Sequence, residues 1–164
     1  MGRDSAAETH FRQALDLRPE HPAALLGLAD TYDALGRAAE AEQFYNRVLA
    51  LVPGWPAAYA RFGRFCFSRG RYDRAVELFG TLSRLVPQSP RPLTNLGAAY
   101  HALGRYDEAV RSYQQAIALG PTATSWSNLG ACQYFLGRFD DAARSFDQAI
   151  RLSPDNYLLW ANAG

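Results

Sequence analysis

The 164-residue chain contains no lysine, and all seventeen of its basic residues are arginine. That absence removes the lysine of a Walker A phosphate loop, and no G-x-G-x-x-G or H-E-x-x-H run stands in for it. Cysteine is scarce. Cys66 and Cys132 lie far apart, form no C-x-x-C pair and have no histidine at ligand spacing, so structural burial is the reading of both thiols. Charge of one sign is also missing. Seventeen basic against sixteen acidic side chains leave a net charge of +1 and no bulk electrostatic pull toward nucleic acid.

There is no apolar run long enough to cross a bilayer. The opening MGRDSAAETHFRQAL has no hydrophobic signal core, and Ala6 stands where myristoylation requires serine or threonine. His10 and His101 are isolated, and His21 precedes Pro22 in a loop. The acidic pairs Asp107-Glu108 and Asp140-Asp141 fall where helices begin and complement the helix dipole, which is a structural rather than a catalytic placement. The expectation is a non-enzymatic, cytoplasmic protein with no cofactor, no metal, no nucleic-acid partner and no membrane partner. The arginine bias, with abundant alanine, points to a GC-rich, bacterial coding sequence.

What the chain does have is a period. From Pro87 to Pro121, small or apolar residues at Leu93, Leu96, Gly97 and Tyr100 recur at offsets of three and four and mark one helical face. Ala109, Tyr113, Ala116 and Ile117 mark a second. Gly104-Arg105 lies between them, and a glycine there takes the left-handed conformation that ends a helix. The terminating prolines Pro19, Pro53, Pro87, Pro121 and Pro154 step by 34, 34, 34 and 33, as do Gly2, Gly36, Gly70, Gly104 and Gly137. Both series lose one residue in the last interval, which places the deletion between Pro121 and Gly137, in the loop before Trp126.

This 34-residue helix-turn-helix unit resembles the tetratricopeptide repeat family. The second helices carry the aromatic site at Phe11, Tyr45, Phe79, Tyr113 and Phe146, with alanine four residues earlier at Ala7, Ala41, Ala75, Ala109 and Ala142. The first helices lead with Leu25, Tyr59, Leu93, Trp126 and Trp160, and Gly63, Gly97, Gly130 and Gly164 follow. The resemblance implies an all-α, right-handed solenoid of antiparallel helix pairs: a lone second helix at residues 4–18, repeats at 20–53, 54–87, 88–121 and 122–154, and a truncated first helix at 155–164. Ala29 departs from the pattern, as do Cys66 and Gln133, which replace tyrosine, and Arg69, which replaces leucine. Looser packing is expected in the second and fourth repeats, at Cys66, Arg69 and Gln133. Polar capping repeats are absent at both ends, so the chain reads as a piece of a longer array with Met1 added. Its two half repeats suggest end-to-end self-association through residues 4–18 and 157–164.

For function the resemblance implies a groove lined by first helices that binds protein. Mapped onto this chain, its contact positions are Arg61, Arg64 and Phe67, then Arg91, Thr94, Asn95 and His101, then Ser127, Asn128, Tyr134 and Phe135. Asn95, Asn128 and Asn162 recur at one position and resemble the asparagine ladder with which arrays of this family grip a peptide backbone, an amide being both donor and acceptor. Arginine forks bind carboxylates bidentately, so an acidic peptide with a bulky side chain is the expected ligand. The alternative is that these arginines solubilise an open face or pair with Asp30 and Asp33. Leu26, Asp30 and Ala60 stand where chaperone adaptors of the family carry their clamp, which argues against a chaperone-tail ligand. The run YFLGRFDDAARSFDQAIRLSPDNYLLWANAG resembles repeats appended to bacterial serine/threonine kinases, which gives a second functional reading as a regulatory or assembly segment of a larger enzyme.

Overall fold

The computed structural model describes residues 2–154, with side chains from residue 6 onward. The described residues form nine α-helices and no strand: α1 (Gly2–Leu17), α2 (Pro22–Ala34), α3 (Ala38–Leu51), α4 (Pro56–Ser68), α5 (Tyr72–Leu85), α6 (Pro90–Ala102), α7 (Tyr106–Leu119), α8 (Ala123–Phe135) and α9 (Phe139–Leu152). The helices pair as α2·α3, α4·α5, α6·α7 and α8·α9, each pair packing on the next, in an all-α solenoid.

Local chemistry explains where each helix starts and stops. Pro22, Pro56 and Pro90 open α2, α4 and α6 at the first helical positions, where the missing N–H is no loss. The fourth first helix has no such proline and uses a capping box instead: the Thr122 hydroxyl accepts from the Ser125 N–H, and the Ser125 hydroxyl accepts from the Thr122 N–H, both at 3.1 Å. His21 also caps, its Nδ1 accepting from the Ala24 N–H at 3.2 Å. Gly36, Gly70, Gly104 and Gly137 have φ between 71° and 76°, the left-handed value expected of the tight turns. The shortened interval lies where the spacing placed it. The loop between α7 and α8 covers 120–122, three residues, whereas 52–55 and 86–89 cover four.

The arginine that follows each turn glycine has a structural use. The Arg37 guanidinium reaches back to Glu8 on α1, with Nη1 3.2 Å from both carboxylate oxygens. Arg71 repeats the contact one unit later with a two-pronged bond to Glu42 at 2.5 and 2.6 Å. At the third turn Val76 occupies the corresponding acidic position, and Arg105 bonds Glu108 on its own helix instead. Arg138 spans to Asp107 at 2.9 Å.

Beneath these turns the buried residues form two clusters, one from Leu25 to Ala99 and a smaller one from Ala109 to Cys132. Tyr45 stacks on Phe62 of the next unit with ring centroids 5.0 Å apart, and Ala41, Ala75 and Ala109 are fully buried. Gly63, Gly97 and Gly130 seat the rings of Phe79, Tyr113 and Phe146, and an added Cβ would approach those rings to between 2.5 and 2.9 Å. α1 docks by a related device that the repeat pattern does not contain: Phe11 lies against Gly27.

The looser packing expected at Cys66, Arg69 and Gln133 is not found. Cys66 is fully buried. Gln133 is 8 % exposed, and its Oε1 accepts a 2.6 Å bond from the Ser145 hydroxyl, so a polar pair fills the space a tyrosine would occupy. Arg69 replaces leucine without loss of contact: it pairs with Asp33 at 2.7 Å and lies over the Phe65 ring. No helix among the described residues is long and apolar enough to cross a membrane. Tyr157 to Gly164, and therefore the expected end-to-end contact, lie outside the described residues.

Candidate peptide-binding groove

Four of the expected contact residues come together. Arg61 and Arg64 on α4, three residues apart and so on one helix face, meet Arg91 and Asn95 on α6 across a cleft of about 360 Å³. The floor is apolar, built from Ala57 and Ala60 of α4, Leu82 at the end of α5, Val86 and Pro92. Leu82 and Pro92 are buried, which fixes that floor. Such a cleft offers hydrocarbon below and charged donors at the rim.

The three arginines are not equivalent. Arg61 is paired with Asp30 of α2, and the same carboxylate accepts a 2.7 Å hydrogen bond from the Tyr45 hydroxyl. Burial, then the bond to Asp30, pushes the Tyr45 phenol far above its ordinary range. Arg64 and Arg91 are exposed and have no carboxylate partner among the described residues. The alternative in which groove arginines pair with Asp30 and Asp33 thus describes Arg61 and, from the turn, Arg69. It does not describe Arg64 or Arg91.

A second group of expected residues forms a ledge along the turns rather than part of the cleft. Phe67 meets Tyr72 edge-on at 5.3 Å, His101 meets Tyr106 at 5.4 Å, and Tyr134 meets Phe139 at 5.4 Å, with interplanar angles of 65°, 66° and 68°. This is one pair repeated in three successive units, the last residue or two of a first helix against the first residue of a second. Phe135 joins the latter two pairs: it stacks on Tyr106 at 4.9 Å and 7°, touches His101 at 5.6 Å and meets Tyr134 edge-on at 6.2 Å. Tyr134, Phe135 and Phe139 each leave more than half of their surface exposed. The Nε2 of His101 is buried without a hydrogen-bond partner. Sequence reasoning named the first-helix members and missed Tyr72, Tyr106 and Phe139. The available signal was an aromatic five residues further on, across each turn.

The remaining expected residues are placed less openly. Thr94 donates its hydroxyl back to the Pro90 carbonyl at 3.2 Å, and Ser127 is 8 % exposed. Asn128 interacts with Tyr113, slightly opposing the rise that burial imposes on that phenol. Asn162 lies outside the described residues. A roomier cleft of about 700 Å³ lies between α7 and α9 over Trp126 and Leu129 of α8. Its walls carry Asp141 and Asp147 together with Arg144 and Arg151, and Arg144 is already paired with Asp141. That balance gives it no preference for a charged ligand, and none of the expected residues lines it. Among the described residues no group of histidine, cysteine and carboxylate side chains could hold a metal ion.

A stack of antiparallel helix pairs, each packing on the next, defines a helical repeat protein. The chain belongs to the tetratricopeptide repeat family: one profile of that repeat matches residues 2–62 and another matches 56–121 and 93–155. Solved structures agree on the fold. A crystal structure of MamA superposes with a TM-score of 0.87 at 21% identity, covering 96% of this chain and 92% of that one. MamA 41-end from Desulfovibrio magneticus RS-1 gives 0.86 at 20% identity over 94% and 88%. A thermophilic TPR protein from Thermus thermophilus gives 0.69 at 26% identity over 99% and 89%. No curated protein matches the sequence at a significant level.

Proposed function

We propose that this chain is a non-catalytic scaffold whose α4–α6 cleft binds an extended, acidic segment of a partner protein. One observation carries the reading. Arg64 and Arg91 flank an apolar floor from opposite helices, and neither is neutralised by a carboxylate among the described residues. Guanidinium forks at a rim recognise carboxylates with two parallel hydrogen bonds, and the apolar floor takes the hydrocarbon part of the same segment. Asn95 supplies an amide at that rim for the peptide backbone. The solenoid reading rests on the repeats at 20–53, 54–87, 88–121 and 122–154.

The test is direct titration. Fluorescein-labelled peptides bearing three glutamates in a Gly/Ser carrier are followed by anisotropy, beside the same carrier with three arginines. Glutamate peptides bind and arginine peptides do not. Arg64→Gln with Arg91→Gln abolishes binding while circular dichroism remains unchanged. Equal binding of both peptides, or glutamate binding that survives the double substitution, removes the cleft from consideration.

A further inference from the structure

The roomier cleft between α7 and α9 contains a hydrogen-bond donor with nothing to bond. The positions that Gln133 and Ser145 occupy in the fourth unit hold Tyr32 and Phe44 in the first, whose rings meet at 5.4 Å, and the buried Cys66 and Leu78 in the second. Only the fourth unit makes both polar. Ser145 donates its hydroxyl to the Gln133 Oε1, and the Gln133 side chain makes no other hydrogen bond among the described residues. Gln133 is 8 % exposed and lines the cleft, so the amide NH₂ that remains can be met only from that space. The rest of the cleft suits a flat, uncharged ring. Trp126 is half-buried there, with Ile117 of α7 and Leu129 of α8 on the same wall. At the rim Asp141 is paired with Arg144, and Asp147 and Arg151 stand one turn apart on α9, so two acids are set against two bases. Its volume of about 700 Å³ falls within the ~300–1,000 Å³ of small-molecule sites.

We infer that this cleft binds a neutral, planar ring compound through a carbonyl oxygen, with the ring against Trp126, Ile117 and Leu129 and the carbonyl accepting from the Gln133 amide. The balanced rim selects a neutral compound over either ion, because a carboxylate or a cation gives up its hydration there without a net opposite charge to meet it. The free donor selects an acceptor-bearing ring over plain hydrocarbon. A carbonyl satisfies the amide, whereas a hydrocarbon in the same place shuts out water and leaves the amide unbonded. This site stands independently of the arginine cleft between α4 and α6, since the two share no residue.

The experiment titrates the full, ¹⁵N-labelled chain at neutral pH with benzamide, benzoate, benzamidinium and toluene, which present one ring with a neutral carbonyl, an anion, a cation and no polar group. The Gln133 side-chain amide and the Trp126 indole N–H are the signals followed. Benzamide shifts both saturably, with a dissociation constant on the order of 1 mM, and the other three bind about fivefold more weakly or not at all. Gln133→Met with Ser145→Ala removes the donor and its partner together, so no polar group is orphaned. In that variant, with circular dichroism unchanged, benzamide falls to the affinity of toluene and toluene is unaffected. If the variant does not fold, the comparison of head groups on the unaltered chain decides alone. Toluene or either ion binding as well as benzamide, or a folded double variant that still prefers benzamide, overturns the inference. So does benzamide that leaves both signals unmoved. If the two signals instead move with protein concentration and no added compound, a second copy of the chain covers the cleft and the small-molecule site is wrong.

Discussion

The Tyr45 hydroxyl donates a 2.7 Å hydrogen bond to Asp30, and the same carboxylate pairs with Arg61 at the edge of the groove. One residue of the first unit therefore does two things: it satisfies a phenol whose ring is buried in the core, and it neutralises one of three groove arginines.

The two roles separate by substitution. Asp30→Asn keeps an acceptor for Tyr45 but frees Arg61, and both members of that ion pair are about two-fifths exposed, so stability changes by only ~0–1 kcal/mol. Binding of a glutamate peptide then tightens, by about fivefold if the freed charge acts at contact distance in a water-like dielectric. Asp30→Leu leaves the Tyr45 hydroxyl without its partner and costs ~1–3 kcal/mol in urea unfolding. Equal stability of the two variants would remove the Tyr45 bond from the account.

Two helical glycines, one under a ring and one in open space, predict opposite signs. A Cβ at Gly63 would lie 2.5 Å from the Phe79 ring, so Gly63→Ala forces the ring or the helix to shift and costs ~1–3 kcal/mol. Gly80, inside α5, has nothing within 4 Å of the place a Cβ would take, so Gly80→Ala stabilises by ~0.5–1 kcal/mol through helix propensity alone. Phe79→Leu recovers part of the Gly63→Ala loss, since the clash is with that ring. Additive losses in the double variant would show that the contact is not the cause.

The turn arginines predict a difference between arginine and lysine. Arg71 grips Glu42 with two parallel bonds, and this pairing lowers the Glu42 carboxyl below its ordinary range. Arg71→Lys keeps the charge but offers a point donor in place of a fork. Both partners are substantially exposed, so the loss is ~0.5 kcal/mol or less. It is visible as faster amide hydrogen exchange at the α3–α5 junction rather than as a large shift in the unfolding midpoint. Unchanged exchange there would show the pair to be ornamental.

How much of this was readable beforehand follows from the range of each interaction. The turn glycines, the first-turn acids Asp107, Glu108, Asp140 and Asp141, and the shortened loop are local, and the spacing of the chain contains them. The ring seats at Gly63, Gly97 and Gly130 are also within one unit, whereas Phe11 against Gly27 is not part of the family pattern and went unread. Contacts between units depend on superhelical geometry: Asp30 with Arg61 and Asp33 with Arg69 are 31 and 36 residues apart, and no local period says which arginine an aspartate meets. Gln133 with Ser145 was missed for a simpler reason, since a replaced tyrosine reads as a loss until its neighbour is seen to be polar as well.

The two buried thiols predict the alkaline limit of the fold. Burial pushes Cys66 up to about 11 and Cys132 up to about 12 from an ordinary thiol value of 9.0. Below pH 9 the thiols are protonated whether the chain is folded or unfolded, and their contribution is fully present. Between pH 9 and 11–12 the unfolded chain releases these protons while the folded one retains them, so stability falls with rising pH across that window. Tyr45 and Tyr113, whose phenols burial also raises, add to the decline above pH 10. Urea midpoints therefore hold between pH 8 and pH 9 and fall from there to pH 11. Cys66→Val with Cys132→Val, which keeps the volume and removes the titration, flattens the part of the curve between pH 9 and 10. The same thiols are inert to iodoacetamide at pH 8 in the native protein and react once urea exposes them, because only the thiolate is the nucleophile. Rapid native alkylation at pH 8, or an unaltered slope in the double variant, would mean that the α4 and α8 cores open far more readily than their packing implies.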